Sequence, residues 1–381
     1  MQRFDTNKST EYQITSLIRD QGDIPFDKFM NLALYGEFGY YLNNPKPFDV
    51  NGDYFTSPRV HPVFGALLAK QIFSMWEILG SPNTFNILEE GAGDDLLATD
   101  ILTSLQLMDS NIFDATNYYL NDVNSIDSEH PKIQNISDGS GFFNVVISNE
   151  LFDAMPVKLF EIHQKSFKEV FISLGINGAL QEKLKNPTIE LYEFLNQQRI
   201  SHLEGYRGPV NLNAEKWVRK ISEKIDSGFL ITIDYGYLDE VFYSMEKSHR
   251  LIQTYYQHSD GGNLLQRIGR QDITAHVNFS HLIKLGNQYN LKEVFFDNQR
   301  NWLQLLGFDL TKNTHVFNGN RRTENLVSSL IDLNGLGNFK VLIQSKNIID
   351  LNFDIFNDVN FNYWEEIPVT ERHLASKLEY L

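Results

Sequence analysis

The sequence predicts an α/β fold built on a parallel sheet. Short apolar strands at residues 84–88, 118–120, 142–147 and 229–233 each run into an acidic residue or a glycine. The first is followed by Gly91, Gly93 and a helix-like run over 96–107, the strand, glycine turn, helix order of nucleotide-binding domains. In such sheets ligands gather at the carboxyl ends of the strands.

Taken in order, residues 10–35 read as two short helices, with Ile14, Leu17 and Ile18 forming one apolar set and Phe26, Phe29, Met30 and Ala33 a second. Residues 36–62 are dense in Gly, Pro, Asn and Asp with aromatics between them, and read as an ordered loop that packs on a core or lines a site. Residues 63–79 form a helix with a broad buried face. After the second strand come Asn121 and Asp122, and after the third Ser148, Asn149 and Glu150. Residues 160–163 and 168–172 are expected to pair antiparallel, and 187–200 to be helical. The polar and aromatic stretch 235–274 reads as a functional lid or loop. Helices are expected at 277–286, 301–306 and 323–333, and a late strand at 339–344. The implied organisation is 1–62 (N-terminal helices and loop), 63–238 (core with an insertion), 239–345 (cap and sheet-completing segment) and 346–381 (C-terminal extension).

Composition bounds the function. The 381 residues are 42% hydrophobic, with 28 Phe, 17 Tyr and 4 Trp, which suits a packed core rather than a solvated tail. No stretch approaches the roughly 18 apolar residues that span a membrane. The 33 basic and 49 acidic residues give a net charge of −16 and no dense basic run, so a nucleic-acid partner is not expected. A basic partner surface would be attracted by that field. There are no cysteines, which excludes disulfides and thiolate metal sites. His61, His249 and His258 show no metal-like spacing with acids, so no metal site is expected. The N-terminal residues read as neither a signal nor a transit peptide, making a reducing cytoplasm the default compartment.

Three constellations carry chemistry. Gly91 and Gly93 let the backbone approach a nucleoside, and Asp122 stands where an acid accepts ribose hydroxyls. Asp94 and Asp95 suit a pyrophosphate poorly and a cationic cofactor better, which favours S-adenosylmethionine over NAD. A tight turn without a ligand is the competing reading. Glu150 and Asp153 on a strand-to-helix turn suit a planar cation such as guanidinium, or else are solvated acids at a helix start. The segment 272–279 gathers Asp272, Thr274 and His276 as polar side chains; the competing reading is that Asp272 or Thr274 caps the next helix and His276 is a hydrogen-bonded structural residue.

Together Gly39-Tyr40-Tyr41, the run from Gly52 to Pro58, Phe64-Gly65, Glu89-Glu90-Gly91-Ala92-Gly93, the run from Asn149 to Val157, Asp234-Tyr235-Gly236 and the run from Gln271 to Val277 resemble the MidA-like family of S-adenosylmethionine-dependent methyltransferases. This is the family of the mitochondrial complex I assembly methyltransferase. The resemblance covers about residues 10–345. It implies a class I Rossmann-like methyltransferase fold with an N-terminal helical segment and an inserted cap, and an enzyme that dimethylates arginine of a partner protein. It further implies that Thr56, Ser57, Pro58, Glu89, Gly91, Gly93, Asp122 and Asn149 line the cofactor. Glu150 and Asp153 would sit where cofactor and acceptor meet, with His276 and Asp234 closing the pocket. A mitochondrial location is the alternative to the cytoplasm. Oligomeric state carries no signal, a homodimer being one option.

The chain departs from the family pattern at Ala92 for Pro, Asp95 for the last glycine, Arg59 for Glu in Ser-Pro-Glu, and Ala66 for Glu in Phe-Gly-Glu. These changes motivate a second reading, a non-catalytic assembly or interaction protein that keeps the fold.

Overall fold

A computed structural model of the chain describes residues 9–43, 56–136, 141–198, 200, 203–256, 259–260, 262–309, 321–348, 354–356 and 366–377. A seven-stranded sheet organises it: β1 (Phe85–Glu90), β2 (Thr116–Asn121), β3 (Ile133–Asn135), β4 (Val145–Asn149), β5 (Gly228–Asp234), β6 (Lys292–Asn298) and β7 (Lys340–Lys346). Their spatial order is β3-β2-β1-β4-β5-β7-β6. β7 is antiparallel to both of its neighbours, while the pairs from β3 to β5 are parallel. The four strands read from the sequence as a parallel sheet, β1, β2, β4 and β5, are parallel; the late strand β7, whose direction hydropathy does not mark, runs antiparallel. The strand order reverses between β1 and β4, where an open α/β sheet leaves a crevice beyond its strand ends.

The helices that matter here are α1 (Thr10–Gln21), α2 (Phe26–Tyr35), α3 (Val63–Ile78), α4 (Leu96–Met108), α5 (Asn213–Lys224) and α6 (Phe279–Gln288). Because side chains alternate across a strand, Ile87, Val145, Ile147, Ile231 and Ile343 pack with α3 and α4 on one face. Leu88, Val146, Leu230 and Leu342 pack with α5 and α6 on the other. The result is a three-layer body. Thr232 and Ser148, the buried hydroxyls of adjoining strands, hydrogen-bond to one another at 3.3 Å.

Between β4 and β5 the chain builds a second, antiparallel sheet from Lys158–His163, Ser166–Leu174, Leu180–Lys185 and Arg207–Val210, joined by Ile24–Pro25. Pro209 is accommodated because Arg207–Val210 is an edge strand with one partner. The apolar faces of α1 and α2 bury Ile14, Ile18, Phe26 and Phe29 against Leu159, Val170 and Ile172 of this sheet. Lys158 Nζ crosses the layer to Glu169 at 2.9 Å and Asp27 at 3.4 Å.

Within 36–62, read as loop, the structure forms short helices at Tyr40–Asn43 and Ser57–Val60. Residues 44–55, including the Gly52 to Phe55 part of the motif, and His258 lie outside the described residues. Within 235–274, read as a lid or loop, Ile252–Tyr256 pairs with Asp272–Ala275 and with Ser259–Asp260.

Candidate active site

The glycine turn forms because strand β1 delivers its chain to a bend that only glycine adopts without strain. Gly91 and Gly93 have φ of 71° and 66°. The end of β2 holds the bend in place. Asn121 carbonyl accepts the amides of Gly91 at 2.8 Å and Ala92 at 3.3 Å, and Asp122 Oδ2 accepts the Gly93 amide at 2.9 Å. Asp122 Oδ1 accepts the Asn124 amide at 3.0 Å.

Around this turn lies a cavity of about 300 Å³. Thr56, Pro58, Glu89, Gly91, Gly93, Asp122, Asn149 and Glu150 all line it. The expectation fails for one side chain. Ser57 turns away, donating its hydroxyl to Gln299 Oε1 at 3.0 Å in the core, because residues 57–60 coil into a helical turn that faces its side chain inward. Its backbone amide instead supports the Glu150 carboxylate. Tyr35, Tyr41 and Trp217 also line the cavity. Tyr41 belongs to the Gly39-Tyr40-Tyr41 motif, and Trp217 lies on α5, whose charged sequence gives no local sign of a site.

Two buried oxygens in the wall, Glu90 Oε1 and Asn149 Oδ1, have no hydrogen-bond partner among the described residues. The other Glu90 oxygen accepts Trp217 Nε1–H at 3.2 Å. Unpaired buried acceptors are costly, and a ligand carrying N–H or O–H donors would satisfy them. Burial pushes the Glu89 carboxyl up to about 8, with Asp94, Asp122 and Asp95 adding repulsion and the Tyr118 hydroxyl, at 2.8 Å, opposing the shift.

A second cavity, about 550 Å³, adjoins the first. Glu150 lines both, and Asp153 and His276 line the second with Asp272, Tyr235, Tyr237, Gln253, Tyr255 and Phe339. Among the described residues lining it there is no Lys or Arg. Glu150 has φ 52°, the left-handed region that a non-glycine residue enters at a cost. Burial raises its carboxyl well above the ordinary range, and Asp153 and Asp272 add repulsion. Burial also pushes Asp153 up to about 6, opposed by the Tyr235 hydroxyl and backbone amides.

Asp234 does not line either cavity. It is fully buried and holds the turn from behind, accepting the amides of Phe152 and Asp153 with Oδ2 and that of Tyr235 with Oδ1. Asp272 and Thr274 lie on a strand and do not cap the following helix; Asn278 does, accepting the His281 amide at 3.0 Å. Asp272 instead accepts the Tyr41 hydroxyl at 3.1 Å, a contact between segments far apart in the chain. His276 stacks on Tyr237, centroids 5.3 Å apart, and meets Tyr235 edge-on at 4.9 Å. Burial pushes its imidazole down to about 4, so it is neutral near pH 7. Among the described residues no three His, Asp or Glu side chains converge as a metal site.

Each departure that adds a charge, Arg59 and Asp95, meets an opposite charge. Arg59 bonds Asp94, and Arg372 reaches Asp94 at 3.0 Å and Asp95 at 2.7 Å.

Residues 67–296 match the family model described as S-adenosyl-L-methionine-dependent methyltransferase. The chain is 27% identical over 308 residues to the protein arginine methyltransferase NDUFAF7 homolog, mitochondrial, of Drosophila melanogaster, covering 70% of this chain and 67% of that protein. It is 23% identical over 344 residues to protein arginine methyltransferase NDUFAF7, mitochondrial, of Danio rerio, covering 80% and 78%. Its fold superposes on the crystal structure of a Burkholderia thailandensis protein bound to S-adenosyl-homocysteine with a TM-score of 0.79. That likeness has 25% sequence identity and covers 92% of this chain and 94% of the other.

Proposed function

Because the chain belongs to the MidA-like family of S-adenosyl-L-methionine-dependent methyltransferases, we propose that its acceptor is the guanidinium of an arginine in a partner protein. The observation that carries this reading is the cavity walled by Glu150, Asp153 and Asp272, with no Lys or Arg among the described residues lining it, which shares Glu150 with the cavity around the glycine turn. Buried carboxylates that repel one another are stabilised by an incoming cation, and a planar guanidinium satisfies two of them at once. The names of the curated relatives support the same acceptor.

In this reading the glycine turn, Thr56, Pro58, Glu89, Asp122 and Asn149 hold the cofactor, whose unpaired donors meet Glu90 and Asn149. Bound S-adenosylmethionine supplies an electrophilic methyl group. The chain's task is to orient the nitrogen and manage its charge. Asp153 and Asp272 grip the guanidinium, and Glu150, standing between the cavities, accepts the proton its nitrogen releases. Neutral His276, fixed between Tyr235 and Tyr237, closes the acceptor side without adding a competing positive charge.

The assembly-only reading rested on Arg59, Ala66 and Asp95. The pairing of Arg59 and Arg372 with Asp94 and Asp95 supports compensation rather than decay. The relatives' names favour a mitochondrial location over the cytoplasmic default; a respiratory-complex subunit is the partner that the resemblance implies.

The test uses methyl-labelled S-adenosylmethionine with a mitochondrial extract, followed by acid hydrolysis of labelled protein. Label in methylarginine that disappears with Glu150→Gln is expected. Label in methyl-lysine or in small molecules alone would overturn the acceptor assignment.

A further inference from the structure

Residues 366–377 lie outside the matched family segment and fold back onto the site. Three consecutive side chains do the joining. Arg372 spans Asp94 and Asp95 at the end of the glycine turn. His373 is fully buried, its Nε2 3.0 Å from Asp100 Oδ2 on α4, while its Nδ1 accepts the Thr370 amide at 3.1 Å. Leu374 lines the larger cavity beside Val60. The Arg372 carbonyl also accepts Arg59 Nη1–H at 3.4 Å.

We propose that Arg372 is a positioning residue for cofactor binding, holding the glycine turn open by fixing the two acids that follow it. Asp94 and Asp95 are adjacent carboxylates, and Asp94 lines the smaller cavity. Each is tied on two sides. Asp94 Oδ1 accepts the Leu96 amide at 2.9 Å and its other oxygen takes both guanidinium groups. Asp95 takes the Ser128 hydroxyl on one oxygen and Arg372 on the other. Two acids and two guanidinium groups cancel, so the turn presents its amides with no net charge from this cluster. Without Arg372, Asp95 keeps only a neutral hydroxyl, and repulsion between the two carboxylates drives the path of 93–95 away from the geometry in which Gly93 meets Asp122. The fork of arginine suits this bridge, since its two nitrogens reach two carboxylates at once.

The test is calorimetric titration of the full chain with S-adenosylmethionine and, separately, S-adenosylhomocysteine, and needs no acceptor. Arg372→Gln is expected to weaken both ligands about tenfold, the scale of one charge-assisted pair. Arg372→Lys should fall between Gln and the native chain. The double variant Asp95→Gly with Arg372→Gln should recover to within about threefold of native affinity, since the repulsion goes with the acid. Native affinity in both single variants would overturn the proposal. So would a Gln-variant loss that persists in the double variant, which would make the segment mere packing. Should Arg372→Gln not fold, as judged by thermal unfolding, the Lys variant and the double variant decide by the same criteria. Failure of the arginine-acceptor reading would leave these affinities untouched.

Discussion

Asp234 holds Asp153 from behind: its Oδ2 accepts the Asp153 amide at 3.3 Å and the Phe152 amide at 3.0 Å. Burial and the charges of Asp153 and Glu150 raise the Asp234 carboxyl well above its usual range. Asparagine keeps an acceptor oxygen for the Phe152 and Asp153 amides and removes the repulsion, giving up only the acceptor of the Tyr235 amide, whereas alanine strands all three. Asp234→Asn should therefore unfold within about 1 kcal/mol of the native chain and Asp234→Ala about 2 kcal/mol earlier, as measured by urea titration.

Glu150 stands between the two cavities. Replacing it by glutamine keeps the shape and removes the charge and the proton acceptor. Turnover should fall at least about 100-fold, with cofactor affinity within about threefold, since this change removes an interaction of the reacting state. Single-turnover kinetics beside calorimetry separates the two; unchanged turnover would remove Glu150 from the chemistry.

At Gly91, φ is 71°, and an added Cβ would stand 2.7 Å from Leu151 Cδ1. A valine there meets backbone strain of about 2–3 kcal/mol at the turn itself. Gly91→Val should weaken S-adenosylhomocysteine binding about 100-fold while the far-ultraviolet dichroism keeps its native shape.

Burial pushes His276 and His281 down to about 4. The unfolded chain protonates its histidines near 6.5, so between about pH 4 and 6.5 the unfolded state binds more protons and stability falls as pH drops. Asp153, pushed up to about 6, opposes this: its folded form keeps a proton that the unfolded form gives up, so its contribution declines as pH rises from about 4 to 6. Each buried histidine contributes up to about 1.4 kcal/mol per pH unit inside its window. His281→Asn should flatten the dependence of the urea midpoint on pH between 6.5 and 5; an unchanged slope would contradict the burial effect.

In the second sheet, Lys158 is held by Glu169, which is fully buried, and by Asp27. Lys158→Met removes one partner and leaves a buried carboxylate uncompensated. Thermal and urea unfolding should show a loss of about 3–5 kcal/mol. Pairing that change with Glu169→Leu should restore most of it.

The parts legible in the sequence were those written locally. The apolar run before Glu89, the two glycines and the helix from Leu96 announce themselves within a dozen residues. So do Asn149, Glu150 and Asp153. What stayed hidden depends on distant partners. β6 has no buried position and no clean alternation in its exposure pattern, so it is a strand only because β7 lies beside it. The helix at 213–224 carries a stripe, Ala214, Val218 and Ile221, set among charged residues that mask it in a hydropathy reading. A cap at Asp272 is as consistent with the local sequence as a strand, because its strand is defined by pairing with Ile252–Tyr256. The reach of Arg372 to Asp94 and Asp95 leaves no trace near either end.

β7 comes last in the chain yet sits inside the sheet, between β5 and β6. During synthesis, β1, β4 and β5 can pair while β6 waits without a neighbour. Only when residues 340–346 leave the ribosome does the sheet close. A chain stopped short of that point would own every residue of the glycine turn and still present two open strand edges, the profile of a species that chaperones retain and proteases remove.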